Sequence, residues 1–464
     1  MVAHRPDILD SLAAVVGADQ VIIAAAELRH YGVDRTRHWS PAPLAVVRPG
    51  SAAEIRDILQ LANRERLAVV PSGGRTGLSG GAVAARGELV LSLERLRRIL
   101  AVDRESATLT CEAGVTTAEV QAAAQEAGLW YPVDFASAGS SQIGGNIATN
   151  AGGIRVLRHG MTRAWVRGLQ VVTGKGEWLE LGRGLVKDNA GYDLMQLLIG
   201  SEGTLGVICT ATLALAPPPP PSAVLLLGAE DLAALPAALA ALRARCVVCA
   251  CEFFSETALA LVIAHQGLAR PFAPVPWYLL VEFEQSGDNG LEGALEAFEA
   301  LRSRGLVQDG VLAQHQGQAQ ALWRLREEIS DTLAVRQPYK NDVAVRTSRL
   351  PDFLERARRL CAERFPELEM VWFGHLGDGN VHINALRPAG WSATRFAALG
   401  ERLSAGLGEL VQDCGGSISA EHGIGLLKKS LLPYSRSAAE IELMRAVKAV
   451  FDPRGILNPG KIFD

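Results

Sequence analysis

Phe373-Gly-His-Leu-Gly-Asp-Gly-Asn-Val-His-Ile-Asn384 reads as an antiparallel hairpin. Asp378-Gly379 is the pair that a two-residue type I′ turn asks for, because both central positions need φ > 0. With the turn there, Gly377 faces Asn380, Leu376 faces Val381 and His375 faces His382. Directly opposed residues share a face of the sheet, with Cβ atoms about 4.5–5.5 Å apart. Asn384, two residues beyond His382, points the same way. Two imidazoles and an amide on one spot suit a borderline metal taking nitrogen and oxygen ligands. A Gly-rich loop with two unrelated surface histidines is the simpler alternative.

A second stretch, Ser419-Ala-Glu421-His422-Gly423-Ile-Gly425, favours the metal. It offers a carboxylate and an imidazole side by side. Neighbours on a regular strand face opposite ways, so one site can use both only from irregular backbone. Gly423 and Gly425 permit that. Of the nine histidines, three fall in these two stretches. Together they suggest His375, His382 and Glu421 as ligands, with His422 left free as a base.

At 464 residues the chain is too long for one core, so two or three domains are expected. A hydrophobic fraction of 48% with 21% charged residues is that of an ordinary soluble globular protein. Net charge is −4 and no Lys/Arg block stands out, which argues against nucleic acid. Asp7 and Asp10 interrupt the apolar amino terminus, which is neither a secretory signal nor an Arg-rich transit peptide. The uncharged run Gly203 to Ala229 (which includes Glu-free but Pro-rich sequence) cannot be one membrane helix, because Pro217–Pro221 interrupts it. Seven cysteines without a signal point to reduced thiols and a cytoplasmic protein. Cys246, Cys249 and Cys251 sit in a run that reads as a buried strand; an iron–sulfur cluster would ask for four thiolates.

Ser51-Ala-Ala-Glu54 is a capping box before a helix with Ile55, Ile58, Leu59 and Ala62 on one face, and Leu67–Val70 completes a βαβ unit. That strand runs into Pro71-Ser-Gly-Gly-Arg-Thr-Gly-Leu-Ser-Gly-Gly81. A second loop, Gly139-Ser-Ser-Gln-Ile-Gly-Gly-Asn-Ile-Ala-Thr-Asn-Ala-Gly-Gly153, follows, and then Gly200-Ser-Glu-Gly-Thr-Leu-Gly206. Glycine lets backbone amides approach an anion without a Cβ in the way. Two such loops in one domain make a dinucleotide plausible, although neither a Rossmann G-x-G-x-x-G nor a P-loop is present. The five prolines Pro217–Pro221 form a stiff extended boundary. Beyond it strands alternate with Ala-rich helices, as in an antiparallel sheet with helices on one side.

The three glycine loops resemble the FAD domain of the vanillyl-alcohol oxidase/p-cresol methylhydroxylase superfamily. His375–Asn384, Ser419–Gly425 and Asn458-Pro-Gly-Lys461 are similar to its D-2-hydroxyacid dehydrogenase branch. The resemblance covers nearly the whole chain in order. It implies an α+β fold: a p-cresol methylhydroxylase-type FAD-binding domain of two α+β subdomains over 1–216, a substrate and metal-binding cap with an antiparallel sheet and helices on one face over 217–425, and a helical segment over 426–464 returning to the FAD domain. By the same resemblance Ser72, Gly73, Gly74, Arg75, Thr76 and Gly77 meet the FAD pyrophosphate. Gly139, Ser140, Gly144, Gly145, Asn146 and Thr149 meet the pyrophosphate and flavin side, and Asn458 lies near the flavin. The first loop has Arg75 and no His, so FAD is expected to be non-covalent.

Arg326, Ser330 and Lys340 resemble the branch's substrate-carboxylate residues, and Asn384 and His422 join them in holding the substrate. Taken alone, Arg326 reads as a helix-surface charge paired with Glu327 or Glu328. The resemblance implies oxidation of D-2-hydroxyglutarate to 2-oxoglutarate, assisted by a divalent metal for which zinc is the candidate. His422 would take the hydroxyl proton, hydride would pass to flavin N5, and an electron-transfer flavoprotein would accept the electrons. D-Lactate oxidation on the same scaffold is the nearer rival, and a zinc hydrolase, which leaves the glycine loops unexplained, the more distant one. A homodimer is entertained, and no membrane span is expected.

Overall fold

The computed structural model describes residues 6–36, 38–285 and 289–464. Its first half is built on local signals. Ser51 Oγ accepts from Glu54 N at 3.2 Å and caps the helix Ala52–Glu65, a contact worth about 1 kcal/mol. The Glu54 carboxylate reaches Gly50 N at 2.7 Å, one residue before the position a capping box requires. Ile55, Ile58, Leu59, Leu61 and Ala62 are the buried face of this helix. Each large side chain among them contributes roughly 1.5–3 kcal/mol of gross burial.

Nine strands follow one another here: β1 (Val21–Ile22), β2 (Ala45–Val47), β3 (Val69–Ser72), β4 (Leu89–Ser92), β5 (Ile99–Asp103), β6 (Thr108–Glu112), β7 (Val166–Thr173), β8 (Trp178–Leu181) and β9 (Gly206–Ala214). They make two sheets, β1-β2-β4-β3 and the antiparallel β5-β6-β9-β7-β8. Strands β2 and β3 flank the Ala52–Glu65 helix as the sequence suggests, but β4 lies between them and pairs with both in parallel. One apolar core runs from Ile8 to Leu215 and takes in Phe451, Ile456 and Leu457 of the carboxyl tail. That tail joins the first sheet. Val69 N donates to Ile456 O and Asn458 N to Val69 O, both at 2.7 Å.

After the exposed prolines the second half opens with β10 (Ser222–Ala229), and then come β11 (Val248–Ser255), β12 (Trp277–Glu284), β13 (Asp309–Leu312), β14 (Tyr339–Ala344), β15 (Glu369–His375) and β16 (Asn380–Leu386). They form one antiparallel sheet in the order β13-β10-β12-β11-β15-β16-β14. Four helices, Ala234–Arg243, Asn289–Ser303, Leu350–Arg364 and Ala393–Asp413, share a core with Phe253 and Val381 on one face. The expectation of helices on one face describes this side. Three more, Glu256–Gln266, Gln316–Glu327 and Ile329–Ala334, share a second core with Phe254 and Phe373 on the other. All eight residues of β11 are buried, and all seven cysteines are free thiols. No described helix is long and apolar enough to cross a membrane.

The second face of this sheet carries a cluster of polar side chains. Beyond Phe254 and Phe373 it carries Glu252, His375, Asn380, His382, Asn384, Lys340 and Asp342, all in register. Here the first half of the chain docks. Arg155 reaches Glu282 at 3.3 Å, Arg158 reaches Glu284 at 3.0 Å, and Leu157 packs so closely on Gly377 that a Cβ there would lie 2.4 Å from it.

Candidate active site

The two long glycine loops lie against each other. A Cβ on Gly74 would sit 2.0 Å from Ser140 O, and one on Gly73 would be 3.3 Å from Gln142 Oε1. No side chain fits at Gly74, whereas Gly139 and Gly145 have open space where a Cβ would go. Ser72 Oγ and Gln142 Oε1, at the mouths of the two loops, are buried without a hydrogen-bond partner. Orphaned polar atoms beside side-chain-free backbone fit a polar cofactor such as FAD. Two residues expected at the cofactor use their side chains within the protein. Asn146 Nδ2 donates to Thr117 Oγ1 at 2.7 Å, and Thr149 Oγ1 donates to Gly145 O at 3.0 Å within its own helix. Ser140 Oγ bonds Ser137 O, and Gly144 packs on Ala113. Arg75 takes φ of 55° and lays its guanidinium 4.7 Å from the Tyr31 ring centre. Asn458 Nδ2 ties the first loop to the third, donating to Gly81 O at 2.9 Å and Glu202 O at 2.7 Å.

The hairpin turns differently from its sequence reading. His375 pairs with Asn380, Gly374 with Val381 and Phe373 with His382, so the loop is Leu376–Gly379, four residues rather than two. Leu376 leaves the strand to enter the core, at 1% exposure, and Gly377 is pinned under Leu157. Only Gly379 takes positive φ, +83°, while Asp378 Oδ1 accepts from Asn380 N. The register has slipped by two residues, and a slip of two leaves every side chain on its face. His375 and His382 therefore still converge, as diagonal rather than opposed neighbours.

Their Nε2 atoms are 3.4 Å apart. Glu421 Oε1 lies 3.4 Å from His375 Nε2, and its Oε2 lies 3.9 Å from His382 Nε2. Donors 2.0–2.1 Å from a tetrahedral ion are spaced about 3.3 Å apart, so this trio has the dimensions of a three-ligand zinc site. A second trio, Asp342, His382 and His422, is as close-set. Its carboxylate is already engaged. Asp342 Oδ2 accepts from Glu421 N and His422 N at 3.0 and 3.1 Å, Oδ1 accepts from Asn380 Nδ2 at 2.8 Å, and Lys428 Nζ stands 3.6 Å away. Asp342 also faces Nδ1 of both His382 and His422 at 3.5 Å. It is a buried hub behind the trio.

This hub explains how consecutive Glu421 and His422 both serve one place. Their amides hang on Asp342, and Gly423 and Gly425 then take φ of +77° and +50°. On the far side, Ser79 Oγ donates to His422 O at 2.7 Å, and the Glu202 carboxylate accepts from Ile424 N and Gly425 N at 2.7 and 2.8 Å. The first and third glycine loops thus hold the His422 loop directly.

Burial disfavours charge throughout the cluster. It pushes His422 down to about 4 and His382 well below its usual range, and it raises Glu421 to about 7. Burial also works against charge on His375, but the carboxylates of Glu252 and Glu421 hold it up at about 9. Asp342 resists its own burial. His422, Lys428 and His382 beside it hold its carboxyl well below the usual range.

Arg326 is no surface residue. It is 5% exposed, its Nη2 is 2.7 Å from Glu252 Oε2, and its guanidinium lies 5.0 Å from the Phe373 ring centre. Its Nε is buried without a partner, as is Asn380 Oδ1. Lys340 stands across the strand pair from Asn384 and makes no ion pair among the described residues. Burial and the nearby Arg35 lower its pKa. Ser330 is exposed, four residues on from Arg326. Glu252, Asp342 and Glu202 escaped the sequence reading. A charge inside the apolar run Cys251-Glu-Phe-Phe254 was the one available signal, since a buried carboxylate requires a partner.

Residues 218–462 match the family described as FAD linked oxidases, C-terminal domain, and residues 43–182 match the FAD binding domain. The chain is 53% identical to a D-2-hydroxyglutarate dehydrogenase of Xanthomonas citri pv. viticola, over 98% of this chain and 96% of that protein. It is 48% identical to the Stutzerimonas stutzeri protein of that name over 99% of each. The mitochondrial D-2-hydroxyglutarate dehydrogenase of Bos taurus is 39% identical over 98% of this chain and 83% of its own. Among solved structures, p-cresol methylhydroxylase with substrate bound superposes with a TM-score of 0.74 at 17% identity, covering 99% of this chain and 97% of that one. An alkyldihydroxyacetonephosphate synthase does so with a TM-score of 0.74 at 18% identity, over 98% and 86%. These two establish the fold alone.

Proposed function

We propose, from the premise that this chain belongs to the FAD-linked oxidase family, that it oxidises D-2-hydroxyglutarate to 2-oxoglutarate at the imidazole–carboxylate cluster. The observation that carries the reading is the spacing of His375 Nε2, His382 Nε2 and the Glu421 carboxylate at 3.4 to 3.9 Å. The names of the relatives at 48–53% identity support the substrate. His375, His382 and Glu421 would hold a divalent metal, with zinc the candidate, and such an ion supplies Lewis acidity that lowers a hydroxyl's pKa. FAD, when bound, supplies the acceptor for two electrons and the Cα hydrogen. It would lie along Ser72–Gly77 and Gly139–Thr149 without a covalent link, since Arg75 stands where a tethering His would be needed.

The chain's own residues do the rest. His422, half-buried and neutral, takes the substrate's hydroxyl proton, with Asp342 facing its Nδ1 and Ser79 and Glu202 fixing its loop. The distal carboxylate of the substrate is read by Arg326, Lys340 and Ser330, and Asn384 lies on the same face beside Lys340. Because Glu252 already balances Arg326, Lys340 brings the uncompensated charge, while Arg326 offers its orphaned Nε–H. Every 2-hydroxyacid presents the same hydroxyl and C1 carboxylate, so choice must come from this far end. Lactate has a methyl there and leaves those donors desolvated and unpaired. Polar sites reject such analogues by up to ~10⁴. An electron-transfer flavoprotein is the proposed acceptor.

Anaerobic mixing with a panel of D-2-hydroxyacids, followed by the bleaching of the flavin, tests this reading. D-2-Hydroxyglutarate is expected to beat D-lactate by at least ~10² in kcat/KM, with malate between them. Faster bleaching by D-lactate would replace the substrate while leaving the flavin chemistry intact. A colourless protein that cannot be reconstituted with FAD would remove both.

A further inference from the structure

Glu252 enters the proposed function only as the counter-charge of Arg326, yet this fully buried carboxylate touches two of the functional candidates. It lies in β11 in register with His375 and is 0% exposed, between the fully buried Cys251 and Phe253. Its Oε1 is hydrogen-bonded to His375 Nδ1 at 2.7 Å, and its Oε2 is 2.7 Å from Arg326 Nη2, an ion pair without hydrogen-bond geometry. Removing a carboxylate from water costs several kcal/mol unless its partners are well placed. Here both partners are functional candidates. One is the imidazole whose other nitrogen faces His382 and Glu421, and the other is the guanidinium stacked on Phe373.

We propose that Glu252 is a positioning residue that sets two groups with one carboxylate: His375, with its proton on Nδ1 and its Nε2 lone pair free for a metal, and Arg326, held against Phe373. The proposal rests on the metal reading of the His375–His382–Glu421 trio. A neutral imidazole can carry its proton on either nitrogen, and an acceptor at one nitrogen decides which. For His375 the acceptor at Nδ1 is Glu252, and the opposite nitrogen is the one 3.4 Å from both other members of the trio. A carboxylate that orients a ligating imidazole typically raises metal affinity 10- to 100-fold. Glu252 would therefore set how tightly the ion is held, and the same ion pair would keep Arg326 from swinging onto the trio.

The test compares the FAD-loaded parent, Glu252→Gln and His382→Ala after chelator treatment. Each is titrated with Zn²⁺ against a fluorescent chelator, and retained FAD is read from the visible spectrum. Glu252→Gln keeps the shape of the side chain and removes its charge. The expected result is Zn²⁺ binding about 10–100-fold weaker than in the parent with FAD retained. If Glu252 only balances Arg326 in the core, Glu252→Gln lowers stability while the folded fraction binds Zn²⁺ as tightly as the parent, and the proposal fails. A parent that binds Zn²⁺ no better than His382→Ala would overturn the metal reading itself, and this inference with it. Should Glu252→Gln not fold, ¹⁵N-histidine labelling of the metal-free parent decides the matter. Read at a pH above the value of about 9 at which the metal-free imidazolium gives up one proton, the signal of His375, identified by its loss in His375→Gln, must show the remaining proton on Nδ1. A remaining proton on Nε2 overturns the proposal.

Discussion

The two glycine loops and the histidine hairpin solve the same problem in opposite ways. The loops offer backbone: Gly73, Gly74, Gly139 and Gly145 matter for the side chains they lack, and Gly74 touches Ser140 O so closely that no Cβ fits. The hairpin offers side chains, and each is braced by a carboxylate. Glu252 stands behind His375, Asp342 behind His382 and His422, and Glu202 beneath the loop of His422. A backbone site tolerates change wherever the chain stays put. A side-chain site in a buried setting depends on its braces as much as on its donors, since each brace is a charge that has left water.

The sharpest way to break this contrast is to remove a donor from the hairpin. His382→Ala is expected to abolish turnover, by more than the loss for His422→Asn below, while FAD stays bound and the visible spectrum persists. Loss of FAD together with activity would mean that the two sites are one structural unit. Next in size, His422→Asn is expected to slow flavin reduction in stopped flow by ~10²–10⁴, the usual span for a general base. Zn²⁺ affinity should hold. An unchanged reduction rate would move the base elsewhere.

How far the sequence shows this follows from what each site is made of. Glycine loops announce themselves by composition, and the strand–helix alternation around them by period, so the order of elements along the chain was legible. The convergence of His375, His382 and Glu421 was legible too, because histidines and glycines cluster in two short stretches. The hairpin register was not. An Asp-Gly pair calls for a two-residue turn, but Leu376 gains more by entering the core than by pairing with Val381, and the turn widens. That error left the faces intact only because it was even. Nor were the braces legible. Glu202 and Asp342 are single carboxylates with no period, and their partners are backbone amides 222 and 79 residues away along the chain. Asn146 shows the converse. It sits in a loop for which the resemblance implied cofactor contact, and nothing in the sequence signals that its Nδ2 donates to Thr117.

The backbone site can be sharpened by two alanines. Gly74→Ala forces a Cβ to within 2.0 Å of Ser140 O, which is backbone and cannot swing aside. Overpacking of this kind costs about 1–3 kcal/mol. If the loops must stay docked to hold FAD, the loss appears as roughly 5- to 150-fold weaker FAD binding with Zn²⁺ affinity unchanged. FAD binding equal to that of the parent would show that the contact between the loops is incidental.

The smallest effect is the most discriminating. Gly145 lies in the short helix Ile143–Thr149, and a Cβ there would meet nothing within 4 Å. In the cofactor-free protein Gly145→Ala should therefore be harmless, or stabilising by up to about 1 kcal/mol, because alanine is the better helix former. If FAD runs past this point, the same methyl group meets the cofactor and weakens its binding by about fivefold, the low end of an overpacking penalty since a ligand can shift. Melting curves without FAD and flavin titrations give the two numbers separately. A destabilised apoprotein would mean that the space beside Gly145 is not open. A stable apoprotein that binds FAD like its parent would place the cofactor elsewhere. A gain or no change without FAD, together with a loss of affinity for it, is the pattern that fits a glycine kept for the sake of a ligand.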